Sequence, residues 1–233
     1  MDLADPGETI TLTWYWTGGT GGTIYHLMPT GQLTDRSWDV VPVGSLQYTI
    51  PPERRNYDTL ALFVYDDAGL LAQATLSIQL RCPDEWFFSP APDICPAGPP
   101  TLSDGAEQPF QRGTMLWNRA EGLIYVLFDD AQYGRWQASV DQWSEGDPVA
   151  DPQLDPPSGL YQPVRGFGLL WHRDPTIRER LGWAVAPEEG YRTAVQSTSH
   201  FRYRRKYIRA LDGGVWRLGP NGSAWEYVAP LQD

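Results

Sequence analysis

Three histidines, two cysteines and a surplus of carboxylates are what this chain offers for chemistry. His172 stands two residues before Asp174, as a base might stand near an orienting acid, but the sequence implies no activated nucleophile beside them. Asp129-Asp130 and Glu188-Glu189 are adjacent carboxylate pairs. Neighbours on a strand point to opposite faces, so neither pair suits acid and base roles on one bond. No Gly-x-Ser-x-Gly, His-Glu-x-x-His or P-loop motif occurs. The acidic stretch Asp141–Asp155 clusters carboxylates in the way calcium prefers, yet it lacks EF-hand spacing and reads as a solvated loop. The expectation is a protein with no catalytic set, no metal site and no cofactor.

Binding chemistry is better represented. Seven tryptophans (Trp117, Trp136, Trp143, Trp171, Trp183, Trp216 and Trp225) recur through the second half. An indole face suits the apolar face of a sugar ring. Aromatic residues at fixed offsets are also what repeated core positions produce, and most of the ladder is expected in the core. Trp143 and Trp183 sit in turn-like contexts and are the candidates for exposure and ligand binding. The run His200–Arg209 is the basic stretch of an acidic chain. Strand alternation would place Arg202, Arg204 and Lys206 on one face and Tyr203 and Tyr207 on the other. That face could grip phosphate or carboxylate groups, or simply keep an edge strand soluble, the reading favoured here.

Cys82 and Cys95 flank a Pro-rich stretch that can be neither helix nor central strand. With no further Cys or His nearby for zinc, they are expected to form a disulfide, worth about 3 kcal/mol by the chain-entropy model and implying an oxidising compartment. Trp86-Phe87-Phe88 within that loop is either an exposed binding tip or, as favoured here, a cluster packed beneath its own loop or between domains.

The elements that position these residues read as mainly β. Twenty-three glycines and 21 prolines mark many turns and few long helices. Period-two alternation predicts strands over 10–16, 23–28, 45–50, 59–65 and 71–80, with a hairpin turn at Asp66–Gly69. In the last strand Ala72, Ala74, Leu76, Ile78 and Leu80 form an apolar face expected in the core. Later, Phe110 to Ile124 and Phe201 to Val215 span equal intervals, each suggesting a β-hairpin, and Leu169-Leu170-Trp171 looks like a third, partial copy of Met115-Leu116-Trp117. A helix is expected over Pro175–Leu181, capped by Asp174 and ended by Gly182.

The net charge of −11 argues against nucleic acid and anionic membrane as partners, and no apolar run approaches bilayer length. Met1–Gly7 lacks the basic end and apolar stretch of a signal peptide. Met1 is therefore read as a start set directly before a domain, with any signal or anchor trimmed away.

Pro6-Gly7-Glu8-Thr9-Ile10-Thr11-Leu12-Thr13-Trp14, with Tyr65-Asp66-Asp67-Ala68-Gly69 before a last strand, resembles bacterial immunoglobulin-like domains of surface proteins. That family has a further strand before the Pro-Gly-Glu turn. Its lack here implies truncation, or an N-terminal sheet edge open to a partner strand or to self-association. Leu181-Gly182-Trp183-Ala184, Pro187-Glu188, Gln196 and Phe201 resemble the LGFP-type repeats of bacterial cell-envelope proteins, with Ala184 at the place of a proline and Arg204 at that of a glycine. The resemblance implies a non-catalytic binding or anchoring unit.

The expected organisation is an immunoglobulin-like β-sandwich over 1–82, a disulfide-closed linker over 83–95 and a Trp-rich hairpin repeat domain with one or two short helices over 96–233. The expected function is secreted or cell-surface adhesion to a carbohydrate, a cell-wall polymer or another surface protein. A structural subunit of an extracellular filament or surface layer is the first alternative. A wall-active hydrolase, which needs an acidic cleft, is the second.

Overall fold

The computed structural model describes residues 3–130, 132, 134–200 and 202–230. The chain is mainly β, and it divides into two compact units: Met1–Glu85 with Pro92–Ala97, and Trp86–Ala91 with Gly98–Asp233. The boundary is therefore interleaved, where the sequence suggests a simple linker.

In the first unit, β1 (Thr9–Tyr15) pairs with β4 (Val43–Thr49). A second antiparallel sheet has the order β3 (Leu33–Val40), β2 (Gly21–Leu27), β5 (Tyr57–Asp66), β6 (Gly69–Gln79). Leu12 and Tyr48 from one sheet share a core with Ile24 and Leu60 from the other. The strand β3 escapes sequence reading because most of its residues are polar and exposed, so period two carries little contrast. The apolar face expected of β6 needs correction. Leu80 is buried and Ile78 half-buried, but Ala72, Ala74 and Leu76 are exposed, because the facing sheet is only two described strands wide. Cys82 and Cys95 form the expected disulfide.

The second unit is one eight-stranded antiparallel sheet. Its first four strands in sequence are β7 (Thr101–Phe110), β8 (Gly113–Asn118), β9 (Leu123–Phe128) and β10 (Trp136–Val140). Then come α1 (Arg165–Arg173) and α2 (Pro175–Leu181), followed by β11 (Glu189–Ser197), β12 (Lys206–Arg209), β13 (Val215–Leu218) and β14 (Trp225–Val228). In space the order is β10–β9–β8–β7–β11–β12–β13–β14.

Alternation sorts β8 and β9 between two cores. Met115, Ile124, Val126 and Phe128 pack against Phe167, Trp171, Ile177 and Leu181 of the helices. Leu116, Tyr125 and Leu127 pack against Ile208, Trp216 and Leu218 on the other half of the same sheet. The sheet thus coils on itself, and indole N–H groups tie its ends together: Trp136 Nε1 donates to the Gly219 carbonyl (3.0 Å) and Trp225 Nε1 to the Phe128 carbonyl (2.8 Å).

The Asp174 cap of α2 is as expected, its carboxylate accepting from the Thr176 and Ile177 N–H groups. The repeat reading needs two corrections. Leu169-Leu170-Trp171 lies in α1, where Phe167, Leu170 and Trp171 fall on one helical face against the core. The hairpins β8–β9 and β12–β13 both exist, but they are one residue out of register with each other: Trp117 faces Ile124, whereas Ile208 faces Trp216. That slip sends Trp117 to the helix side and Ile208 to the opposite side. Phe201, which anchors the second copy, lies outside the described residues.

Candidate functional site

Two adjoining cavities of the second unit share Trp143 and Arg165 as a common wall. The wider, of ≈ 470 Å³, opens between the 143–152 loop and α1, with Asp147, Asp151, His172 and Arg173 on its sides. The narrower is a niche of ≈ 100 Å³ with walls from Ala106, Trp117, Ile124 and Phe167. Asp141 and Glu188 complete its lining.

Each element of the site has a local cause. The carboxylate of Asp141 accepts from the Trp143 N–H (3.1 Å), which turns the chain as it leaves β10. The Trp143 indole then donates to the Pro148 carbonyl (3.3 Å), and the half-buried ring is held edge-on to its own loop. Arg165 opens α1 at φ +48°, a left-handed value that costs a non-glycine residue energy and is found where surrounding contacts enforce it. The enforcing contacts are its N–H to the Val149 carbonyl (2.8 Å) and its guanidinium to Glu188 Oε1 (3.2 Å). Gly166 lets Asp141 approach closely, since a Cβ would lie 2.4 Å from Asp141 Oδ1 and would displace its carboxylate. Glu188 just precedes β11, and Gln108 of β7 fixes this stretch by donating to the Ala186 carbonyl (3.0 Å).

Burial pushes the Glu188 carboxyl above the ordinary carboxylate range, and the charge of Asp141 adds to the effect, while Arg165 pulls the other way. The site can therefore offer an aromatic platform, a cation, carboxylates of unlike environment and a small apolar niche.

Of the residues singled out in the sequence, Trp143 is in this site. Trp183 is not: its half-buried ring packs 5.1 Å from that of Trp171, and its backbone N–H donates to Gln111 Oε1 (3.0 Å). The basic run is also rearranged. The strand begins only at Lys206 and lies inside the sheet between β11 and β13. Before it, His200 Nδ1 accepts from the N–H groups of Arg202 and Tyr203, and Arg202 to Arg205 are not in a strand, so alternation does not apply. Arg202 and Arg204 are exposed, whereas Lys206 is half-buried against Glu121 and Tyr125. None of the three lines either cavity. Trp86 and Phe88 are half-buried against Tyr207, with centroids at 4.9 and 5.0 Å, so they form a packed cluster.

Asp141, Arg165 and Glu188 escaped sequence reading. Strand alternation does not apply to Glu188, which precedes its strand, and Asp141 stands at the head of the acidic loop. The one available signal was Pro163-Val164-Arg165-Gly166-Phe167-Gly168, whose glycines allow close approach of another chain segment.

The first unit holds a second cluster with the chemistry of a triad. Asp58 contacts His26 Nε2 (2.8 Å), the Tyr48 hydroxyl (2.5 Å) and Arg54 Nε (3.0 Å). His26, Tyr48 and Asp58 are all buried, so the cluster serves the core. Among the described residues no group of three His, Cys, Asp or Glu has metal-holding geometry, and no helix is long and apolar enough to cross a membrane. Comparison with protein-family models, curated proteins and solved structures returned no match to this chain.

Proposed function

We propose that the second unit is a non-catalytic saccharide-binding module of a secreted or cell-surface protein, recognising a carbohydrate or cell-wall polymer at the Trp143 cleft. The observation that carries this reading is the shared wall of Trp143 and Arg165 between two cavities of unequal size, with carboxylates converging on both. A sugar offers an apolar ring face and a rim of hydroxyls, and a partly exposed indole beside carboxylate and guanidinium groups complements both. The disulfide supports an oxidising compartment. The strand arrangement β4–β1 against β3–β2–β5–β6 supports an immunoglobulin-like first unit. The hairpins β8–β9 and β12–β13 support reading the second unit as a degenerate relative of LGFP-type modules.

Titration with oligosaccharides, followed by tryptophan fluorescence and calorimetry, tests the reading. Trp143→Ala is expected to weaken binding at least about tenfold, or about 1.4 kcal/mol. Its melting temperature should stay near that of the unsubstituted protein, because the ring belongs to a loop and to no core cluster. Undiminished affinity in this variant refutes the site. Shortened oligosaccharides appearing during the titration refute the non-catalytic reading and favour a hydrolase.

A second reading, a subunit that assembles by strand addition, is favoured by the first unit. The described edge of β1 opposite β4 is unpaired, and beside it Trp14, Leu12, Leu62, Ala74 and Leu76 line a groove of ≈ 340 Å³. Neither β1 nor β6 carries a charge or a proline of the kind that protects exposed edges. Leu76→Lys puts a charge on that exposed face. It is expected to abolish concentration-dependent association in light scattering while barely changing the melting temperature. A wild-type protein that stays monomeric at high concentration removes this reading.

A further inference from the structure

We infer that the niche behind Trp143 takes the N-acetyl group of an amino sugar, so that the cleft selects N-acetylated hexosamine polymers over plain hexose polymers. The inference rests on the saccharide-binding reading and names the class of saccharide.

Three features of the niche converge on an acylamino group. The first is size. A water occupies about 30 Å³, so ≈ 100 Å³ admits about three heavy atoms. An acetyl group has three. The second is the wall chemistry. Ala106, Ile124, Phe167 and the ring of Trp117 are apolar and suit a methyl group, which gains from leaving water there.

The third feature is the polarity of the remaining lining. Asp141 and Glu188 are acceptors when ionised. In a trans amide the N–H lies on the same side as the acyl methyl. A methyl entering the niche therefore brings the amide N–H toward these carboxylates. An O-acetyl ester fills the same volume but has no N–H, and its ester oxygen would face a carboxylate. The lining thus separates N-acyl from O-acyl substituents, and its apolar walls reward a methyl group that a bare hydroxyl lacks. Arg165, joined to Glu188 at 3.2 Å, fixes one of the two acceptors in place.

The test compares β-1,4-linked trisaccharides of N-acetylglucosamine and of glucose, which differ at each ring only in the acetamido group. Calorimetry with the full chain is expected to show the N-acetylated trimer binding at least tenfold tighter. Ala106→Val narrows the niche from β7, opposite Trp117 in the sheet register. It is expected to erase that preference, the affinity for the N-acetylated trimer falling at least tenfold, toward that for the glucose trimer. Equal affinity of the unsubstituted protein for both trimers overturns the inference and leaves the saccharide reading standing. Binding of neither overturns both. The ligand comparison in the unsubstituted protein decides the matter even if the valine variant does not fold.

Discussion

Asp58→Ala is expected to destabilise the first unit by about 3–5 kcal/mol, the range for removing one partner of a buried charged pair. Asp58 is 1% exposed. Its carboxylate contacts His26 Nε2, Arg54 Nε and the Tyr48 hydroxyl, and it accepts from the backbone N–H of Thr59 at 3.1 Å. Alanine removes all of these acceptors at once. It leaves the Tyr48 hydroxyl without its acceptor and an Arg54 guanidinium, largely out of water, without its counter-charge, while the His26 ring keeps only its contacts to Arg54 and Thr34. The neutral amide of Asp58→Asn keeps the volume and one acceptor oxygen, so a smaller loss is expected. Burial and the hydrogen bond to Asp58 hold the Tyr48 hydroxyl well above its usual range, so it remains a donor across the physiological pH range. Chemical denaturation of the full chain, followed by hydrogen exchange resolved to β2, β4 and β5, measures the effect. Loss of less than about 1 kcal/mol would mean that the cluster is incidental to the fold. Such an outcome would reopen the question of what a His, a Tyr and an Asp are doing together.

How much of this was legible beforehand depends on whether a residue's neighbours are local. The helix over Pro175–Leu181 was legible to the residue because its start and stop are set by Asp174 and Gly182, both adjacent in sequence. The disulfide was legible because there were only two cysteines to pair. The apolar face of β6 was correctly identified as apolar, but its burial depends on how far the opposite sheet extends, which alternation within one strand does not encode. The hairpin repeat failed on register, since equal spacing in sequence fixes neither loop geometry nor facing: one turn spans 119–122 and the other 210–214, and one extra residue swaps the sides. The site was least legible of all. The turn-like context of Trp143 marks it in the sequence as a candidate for exposure, but the same context marks Trp183, which lies outside the cleft. The partners of Trp143 come from β7, α1 and the residue before β11, as much as 82 positions apart between Ala106 and Glu188, and the pairing of β11 with β7 and the packing of α1 on the sheet bring them together.

The element that assembles those partners is α1, which makes Trp171→Ala the second large expected effect. Trp171 is 2% exposed and anchors α1 to β8 and β9 through the core that contains Met115, Val126 and Phe128. Its Nε1 donates to the Gly182 carbonyl (2.8 Å), which also ties α1 to the end of α2. Truncation to alanine is expected to cost about 3–5 kcal/mol, the combined loss of transfer energy and packing for a buried tryptophan. Arg165 and Gly166 stand at the opening of the same helix. The left-handed backbone of Arg165 persists only while its surroundings hold it, so a loosened α1 should also blunt the cleft. The variant is therefore expected to lose both stability and saccharide affinity, where Trp143→Ala loses affinity alone. Trp171→Phe separates the two contributions to anchoring. It retains a ring in the core but gives up the bond to Gly182, and a cost of about 1 kcal/mol is expected for that bond. Denaturation midpoints and calorimetric affinities measured on the same samples decide the case. Full affinity in a destabilised Trp171→Ala protein would show that the cleft is shaped by the 143–152 loop and not by the helix.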